Sequence, residues 1–250
     1  MSKPILIEGC VTSVASALEA QKGGAARVEL CDNLTEGGTT PSYGAIQEAR
    51  QLLDIELNIM IRPRGGDFCY TDLEFKIMKT DVEIAKELAV DGIVFGILTP
   101  DAVIDVERSR EIIELAKPLN ITFHRAFDRS ADPFRSLETL ISLGVHRVLT
   151  SGQRPSAMEG INLLAELVKT AGNRIIIMPG VGIDETNIRE LITHTEAREY
   201  HVLAEKQFDS PMKVRNEKVF MGYNADFPEY KINITDWEKI RAIYLASQSY

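Results

Sequence analysis

Arg27-Val28-Glu29-Leu30 is a four-residue run that mixes β-branched and apolar residues with two charges, and runs of its kind recur along the whole chain. Ile5-Leu6-Ile7 precedes it. Leu57-Asn58-Ile59-Met60-Ile61, Ile93-Val94-Phe95-Gly96-Ile97, Ile121-Thr122-Phe123-His124, Arg147-Val148-Leu149 and Ile175-Ile176-Ile177-Met178 follow, with a weaker Tyr200-His201-Val202-Leu203 at the end. Eight candidate strands recur every ~28 residues, the length of a βα unit. Helix punctuation fills the gaps. Asp132-Pro133 supplies an N-cap and a first-turn proline, and Gly144 ends that segment. Thr71 and Glu74 have capping-box spacing, Ser156 and Glu159 repeat it, and Thr40-Pro41 opens the second helix. Eight such units predict a single (β/α)8 TIM-type barrel over residues 1–203. Residues 204–230, with Pro211 and Pro228, read as an irregular extension. A final helix around Trp237, Ile240 and Tyr244 completes the same domain through residue 250. An open doubly wound sheet is the rival, but no dinucleotide fingerprint follows the first strand.

The 250 residues are 44% apolar and 26% charged, which excludes a disordered or collagen-like chain. With 28 basic against 37 acidic residues, the net charge of −9 argues against nucleic acid and anionic membranes as partners. No apolar run reaches the ~20 residues of a membrane span, and the start is too short in apolar residues for a signal peptide. Three cysteines cannot all pair, so a reducing, cytoplasmic location is expected.

Side chains alternate along a strand, so parity sorts them into two faces. Glu8 and Cys10 share a face, as do Arg27, Glu29 and Cys31, then Met60, Arg62 and Arg64, and then Thr122 and His124. Glu8, Glu29, Arg62, His124 and Thr150 thus gather at the C-terminal ends of strands, where barrel enzymes keep their chemistry. Charges in strand interiors are costly unless used, so this set reads as a site, with a buried ion-pair network as the alternative. Cys10 and Cys31 hold equivalent places on neighbouring strands. Two thiolates suit a soft ion such as Cu(I), and two buried thiols acting as small hydrophobes fit the same pattern.

Three Gly-rich loops follow strands: Gly37-Gly38, Gly65-Gly66 and Gly180-Val181-Gly182. Either they let backbone amides approach an anion or they are tight turns. Arg62 and Arg64 offer two guanidiniums for bidentate contact, and Thr150, Ser151, Gly152 and Gly180 could add donors. His124 at a strand end suits acid–base work, whereas His146 and His194 read as structural. No Ser-His-Asp elbow, Walker loop or His-Glu-x-x-His is present.

At these residues the chain resembles the CutC family, the copper homeostasis proteins. The matching stretches include Leu6-Ile7-Glu8-Gly9-Cys10, Ala26-Arg27-Val28-Glu29-Leu30-Cys31, Gly37-Gly38-Thr39-Thr40-Pro41 and Arg62-Pro63-Arg64-Gly65-Gly66-Asp67-Phe68. Thr122-Phe123-His124-Arg125-Ala126-Phe127-Asp128, Val148-Leu149-Thr150-Ser151-Gly152 and Met178-Pro179-Gly180 continue the series to about residue 183. The resemblance implies a cytoplasmic barrel, a homodimer or higher oligomer, and Cu(I) held by Cys10 and Cys31. Gly9 stands where a Val is usual and Val181 where a Gly is expected, and past residue 200 the match fades. Two functions follow as expectations. One is a copper-handling protein. The other is a barrel enzyme or binder of a small anionic metabolite, phosphorylated ones included, with Glu8, Glu29 and His124 as acid and base.

Overall fold

The computed structural model describes residues 4–221 and 228–248; residues 1–3 of the expected barrel, and 222–227 and 249–250 of the expected extension and final helix, lie outside the described residues. Eight parallel strands form a nearly closed (β/α)8 barrel. They are β1 (Leu6–Val11), β2 (Arg27–Leu30), β3 (Glu56–Met60), β4 (Gly92–Phe95), β5 (Asn120–Phe123), β6 (Arg147–Thr150), β7 (Ile176–Pro179) and β8 (Glu199–Val202). Neighbouring strands pair in chain order, and β8 returns to pair with β1. Between β7 and β8 a single bridge, Gly180 to His201, completes the ring.

The outer layer consists of α1 (Val14–Gly23), α2 (Tyr43–Leu52), α3 (Asp72–Glu87), α4 (Val106–Ala116), α5 (Pro133–Ser142), α6 (Ile161–Ala171) and α7 (Ile188–Thr195). Each covers an apolar strand face made of residues such as Ile7, Val28, Ile59, Ile93, Phe123 and Val148, all fully buried. Thr71 and Glu74 form the full capping box of α3, and Asp132 caps α5 through the Phe134 and Arg135 amides. Two helix starts differ from the sequence expectation. Thr40 does not open α2, because its hydroxyl accepts the Arg62 N–H at 3.0 Å; Ser42 is the cap instead. Ser156 and Glu159 do bond each other, but within a turn, and α6 begins only at Ile161.

The extension is also more regular than its composition suggests. Glu205–Asp209 (β9) pairs antiparallel with Lys231–Thr235 (β10), so the segment from 204 starts as a hairpin arm. Trp237–Gln248 (α8) then packs between α7 and α1 and supplies the eighth helix. Ile240 sits so close to α1 that a Cβ at Gly23 would lie 2.5 Å from it. Gln248 donates to the Ile5 carbonyl at 3.1 Å, which ties this helix to the edge of β1. Among the described residues no helix is long and apolar enough to cross a membrane.

Candidate functional site

The parallel register sets Glu8 beside Arg27 and Cys10 beside Glu29, and Glu8 beside His201 on its other flank. Parity turns all of these inward, and they stack in two tiers. The lower tier is an ion network. Arg27 donates to Glu8 through Nε and to Glu199 through Nη2 at 2.6 Å, while Arg147 Nε reaches Glu199 at 2.5 Å. Asn58 and His201 complete the surroundings of Glu8, with His201 Nδ1 2.7 Å from Oε1. Burial alone would raise the Glu8 pKa, but Arg27 and His201 overcome it and hold the carboxyl well below its usual range. Glu8 is therefore a fixed anion with both oxygens occupied, and the lower tier fills the barrel.

The upper tier is a cavity of about 310 Å³ at the C-terminal mouth. Glu29, Cys10, Cys31, Arg62, His124 and His201 line it together with Leu34, Met60, Phe68, Leu149, Val181 and Leu203. A vestibule of about 620 Å³ shares Gly37, Arg62, Phe68 and Arg125 with it and leads outward. A mainly apolar wall with a few convergent polar groups is the usual form of a small-molecule site.

Glu29 is 2% exposed, and its carboxylate Oε2 is fully buried with no hydrogen-bond partner among the described residues. Burial pushes its pKa up to about 7, with the His201 charge opposing and Glu8 reinforcing the rise. Burial works against a charge on His201, yet Glu29 and Glu8 together raise its pKa above the ordinary value. Glu29 is thus raised to near neutrality beside a His201 whose protonated form the two carboxylates favour.

His124 behaves differently from the acid–base residue expected. Its Nδ1 accepts the Ala126 N–H at 3.1 Å, which leaves the proton on Nε2, and that nitrogen is buried with no partner. Burial, then the Arg62 charge, lowers its pKa to about 3. It is a neutral hydrogen-bond donor to the cavity. Phe68 packs on its ring at 4.9 Å, and a Cβ at Gly96 would come within 2.5 Å of it, so only glycine leaves room for the imidazole.

Arg62 is 4% exposed and is held by backbone. Nη1 donates to the Glu36 and Gly38 carbonyls at 2.7 and 2.6 Å, and Nη2 to the Gly66 carbonyl at 2.9 Å. The Gly-rich loops, whose glycines 37, 38 and 66 take positive φ, therefore turn carbonyls toward this guanidinium rather than amides toward an anion. Arg62 Nε is buried and unsatisfied, and no described carboxylate lies within ion-pair distance of it.

The structure does not bring the other expected ligand contacts into the cavity. Arg64 points to Glu74 at 2.6 Å and Asp67 at 3.1 Å. Thr150 shares the outward face of Val148 and donates to Asp128 at 2.5 Å; Ser151 bonds the same carboxylate, and Gly152 N–H bonds Thr150 Oγ1. Gly180 N–H donates to the Thr150 carbonyl, and its Cα lies against Leu149 and His201. These residues shape the wall beside Asp128 instead. His201 escaped the sequence reading, although its inward parity opposite Glu8 was the available signal.

Cys10, Cys31 and Glu29 each present a ligand atom within 4.8 Å of the others. The adjacent Cys31 thiol, burial and the charges of Glu29 and Glu8 push the Cys10 thiol well above its usual pKa. Glu8, Glu29 and His201 are similarly close, but the Glu8 oxygens are already taken.

Comparison with known proteins agrees with this architecture. The CutC family model matches residues 5–206. A CutC family protein of Parabacteroides distasonis is 52% identical over 95% of this chain and 98% of its own. The human copper homeostasis protein cutC homolog is 48% identical over 95% of this chain and 87% of its own. The crystal structure of CutC from Streptococcus agalactiae superposes with a TM-score of 0.76 at 41% identity, covering 79% of this chain and 97% of that one. With the barrel, the paired Cys10 and Cys31 and the mouth residues in place, the chain belongs to the CutC family.

Proposed function

We propose that the mouth cavity binds a small anionic metabolite whose charged group sits at Arg62. The observation that carries this reading is Arg62 itself, a buried cation that lines the cavity, held by backbone carbonyls, with no described carboxylate within ion-pair distance. A buried charge compensated by carbonyl dipoles alone is costly, and an anion entering from the vestibule would neutralise it. Thermal-shift titration with phosphate, sulfate and phosphorylated or carboxylated sugars tests it. At least one anion stabilises the wild type, and Arg62→Ala weakens that anion by ~1.5–3 kcal/mol, the worth of a hydrogen bond to a charged group. An equal response in the variant refutes the anchor.

A second reading has its own support. Relatives in mouse and man carry the name copper homeostasis protein, and this chain keeps two buried, free thiols side by side in the cavity. Two sulfurs with one nearby carboxylate oxygen fit a soft, low-coordinate ion such as Cu(I) and fall short of a tetrahedral zinc set. Cys10 and Cys31 would hold the ion, displacing their protons. Anaerobic Cu(I) titration distinguishes the cases: the Cys10→Ser/Cys31→Ser protein loses one equivalent relative to wild type, and equal stoichiometry removes the clamp. Free thiols are what a reducing compartment such as the cytoplasm maintains.

A further inference from the structure

Three polar atoms in the mouth cavity are buried without a hydrogen-bond partner: Glu29 Oε2, His124 Nε2 and Arg62 Nε. Buried polar atoms are nearly always satisfied, so three on residues that line one small cavity point to a ligand that satisfies them. Their chemistry is uneven in a useful way. Two are N–H donors and one is a carboxylate oxygen, and Met60, Phe68, Leu149 and Leu203 enclose them in apolar wall. Donors aimed into a volume that excludes water are most effective where negative charge develops on an oxygen. A carboxylate oxygen with no hydrogen bond of its own is free to accept a proton from carbon.

We propose that the cavity enolises a small hydroxy-carbonyl compound bearing an anionic group. The anionic group lies beside the Arg62 guanidinium, the carbonyl oxygen accepts from His124 Nε2–H, and Glu29 removes the proton from the adjoining carbon. The C–H electron pair becomes the new C=C bond while the carbonyl π pair moves onto oxygen, giving an enolate stabilised by His124. Glu29 then carries the proton. Returning it to the same carbon restores the substrate. Returning it to the former carbonyl carbon, as the neighbouring hydroxyl passes its proton to the enolate oxygen, moves the carbonyl by one position. No electrons leave the substrate, so no oxidant or reductant is required. His124 suits the donor role because its Nδ1 is committed to the Ala126 amide and its ring is fixed between Phe68 and Gly96.

The inference rests on the anionic-metabolite reading, so binding and chemistry are measured separately. Dihydroxyacetone phosphate, erythrose 4-phosphate and ribose 5-phosphate are screened by thermal shift, and each is then incubated with the protein in D2O and followed by proton NMR. The expected result is that a probe which binds loses its α-proton signal to deuterium. In Glu29→Gln, binding persists while exchange falls by about 100-fold, the usual worth of a positioned base. His124→Gln slows exchange as well. If Glu29→Gln fails to fold, Glu29→Asp reads the same step with a shorter reach and a smaller loss. A probe that binds without exchange, or whose exchange survives Glu29→Gln, overturns the enolising role and leaves the binding site standing. If none of the three binds, the chemistry falls; if phosphate, sulfate and carboxylated sugars also leave the melting temperature unchanged, the binding reading falls with it.

Discussion

Replacing Arg27 by methionine removes the cation that holds the lower tier together. The Arg27 side chain is 1% exposed and meets three carboxylates and the Met178 sulfur. The three do not suffer equally when it goes. Glu56 is half exposed and loses little. Glu199 keeps Arg147 at 2.5 Å. The cost therefore concentrates on Glu8, fully buried, which retains only His201 at 2.7 Å and the long contact from Asn58. Removing one partner of a buried pair costs ~3–5 kcal/mol, and the surviving contacts put Arg27→Met near the lower end, about 3 kcal/mol. At this chain length ~1 kcal/mol moves Tm by roughly 2–4 °C, so calorimetry should record a fall of about 6–12 °C. The decisive measurement is the double variant. Arg27→Met/Glu8→Gln removes the stranded charge along with its partner and should recover at least half of the loss in denaturant midpoint. If Arg27→Met stays within 2 °C of wild type, or if the double variant loses the sum of the two single losses, the lower tier is not a cation-centred network.

His124 should remain neutral, with the Nε2–H tautomer, from pH 5 to 8 in side-chain NMR, since its folded pKa is about 3; a midpoint near 6.5 in the folded protein refutes this. Because the unfolded imidazole takes up a proton first, the neutral ring contributes stability that is complete above pH ~6.5 and lost as pH falls toward 3, and His124→Asn should flatten that slope. Gly96→Ala drives a methyl to within 2.5 Å of the His124 ring and should cost ~1–3 kcal/mol by denaturant melt; unchanged stability would show that the imidazole has room to move. Val181 holds φ +79°, which is strained for a β-branched residue, so Val181→Gly should gain ~1 kcal/mol after the entropy of glycine is subtracted; a loss of stability sinks the strain argument.

Seven of the eight strands were legible to within a residue or two, because parallel strands buried on both faces must be apolar runs and turn signals bound them, whereas β1 runs four residues past its expected end at Ile7, through Glu8 and on to Val11. The mouth was legible for the same reason. A charge inside such a run has few explanations, and parity alone placed Glu8, Glu29, Arg62 and His124 on one face. Parity also held the answer for Thr150, which alternates with Leu149 and so faces outward to Asp128. What it could not show was the direction of the Gly-rich loops. Positive φ is open to glycine in more than one turn, and only the fold shows that carbonyls, not amides, meet Arg62. His201 was obscured because Glu199-Tyr200-His201-Val202 is half polar and reads as a weak strand; its role depends on Glu8, 193 positions away. The hairpin arm Glu205–Asp209 was missed because its polar sequence has a partner only some twenty residues later.

The ring of staves has one loose joint. Every other pair of neighbouring strands is stitched by two to four register positions, whereas β7 and β8 meet at Gly180 and His201 alone. The cavity straddles that joint, with Val181 and Gly182 on one side and His201 and Leu203 on the other. A molecule lodged there acts as a bolt through two staves, so filling the mouth should tighten the whole cylinder. Breathing at the joint, in turn, offers a route by which a guest too large for the vestibule could enter and leave.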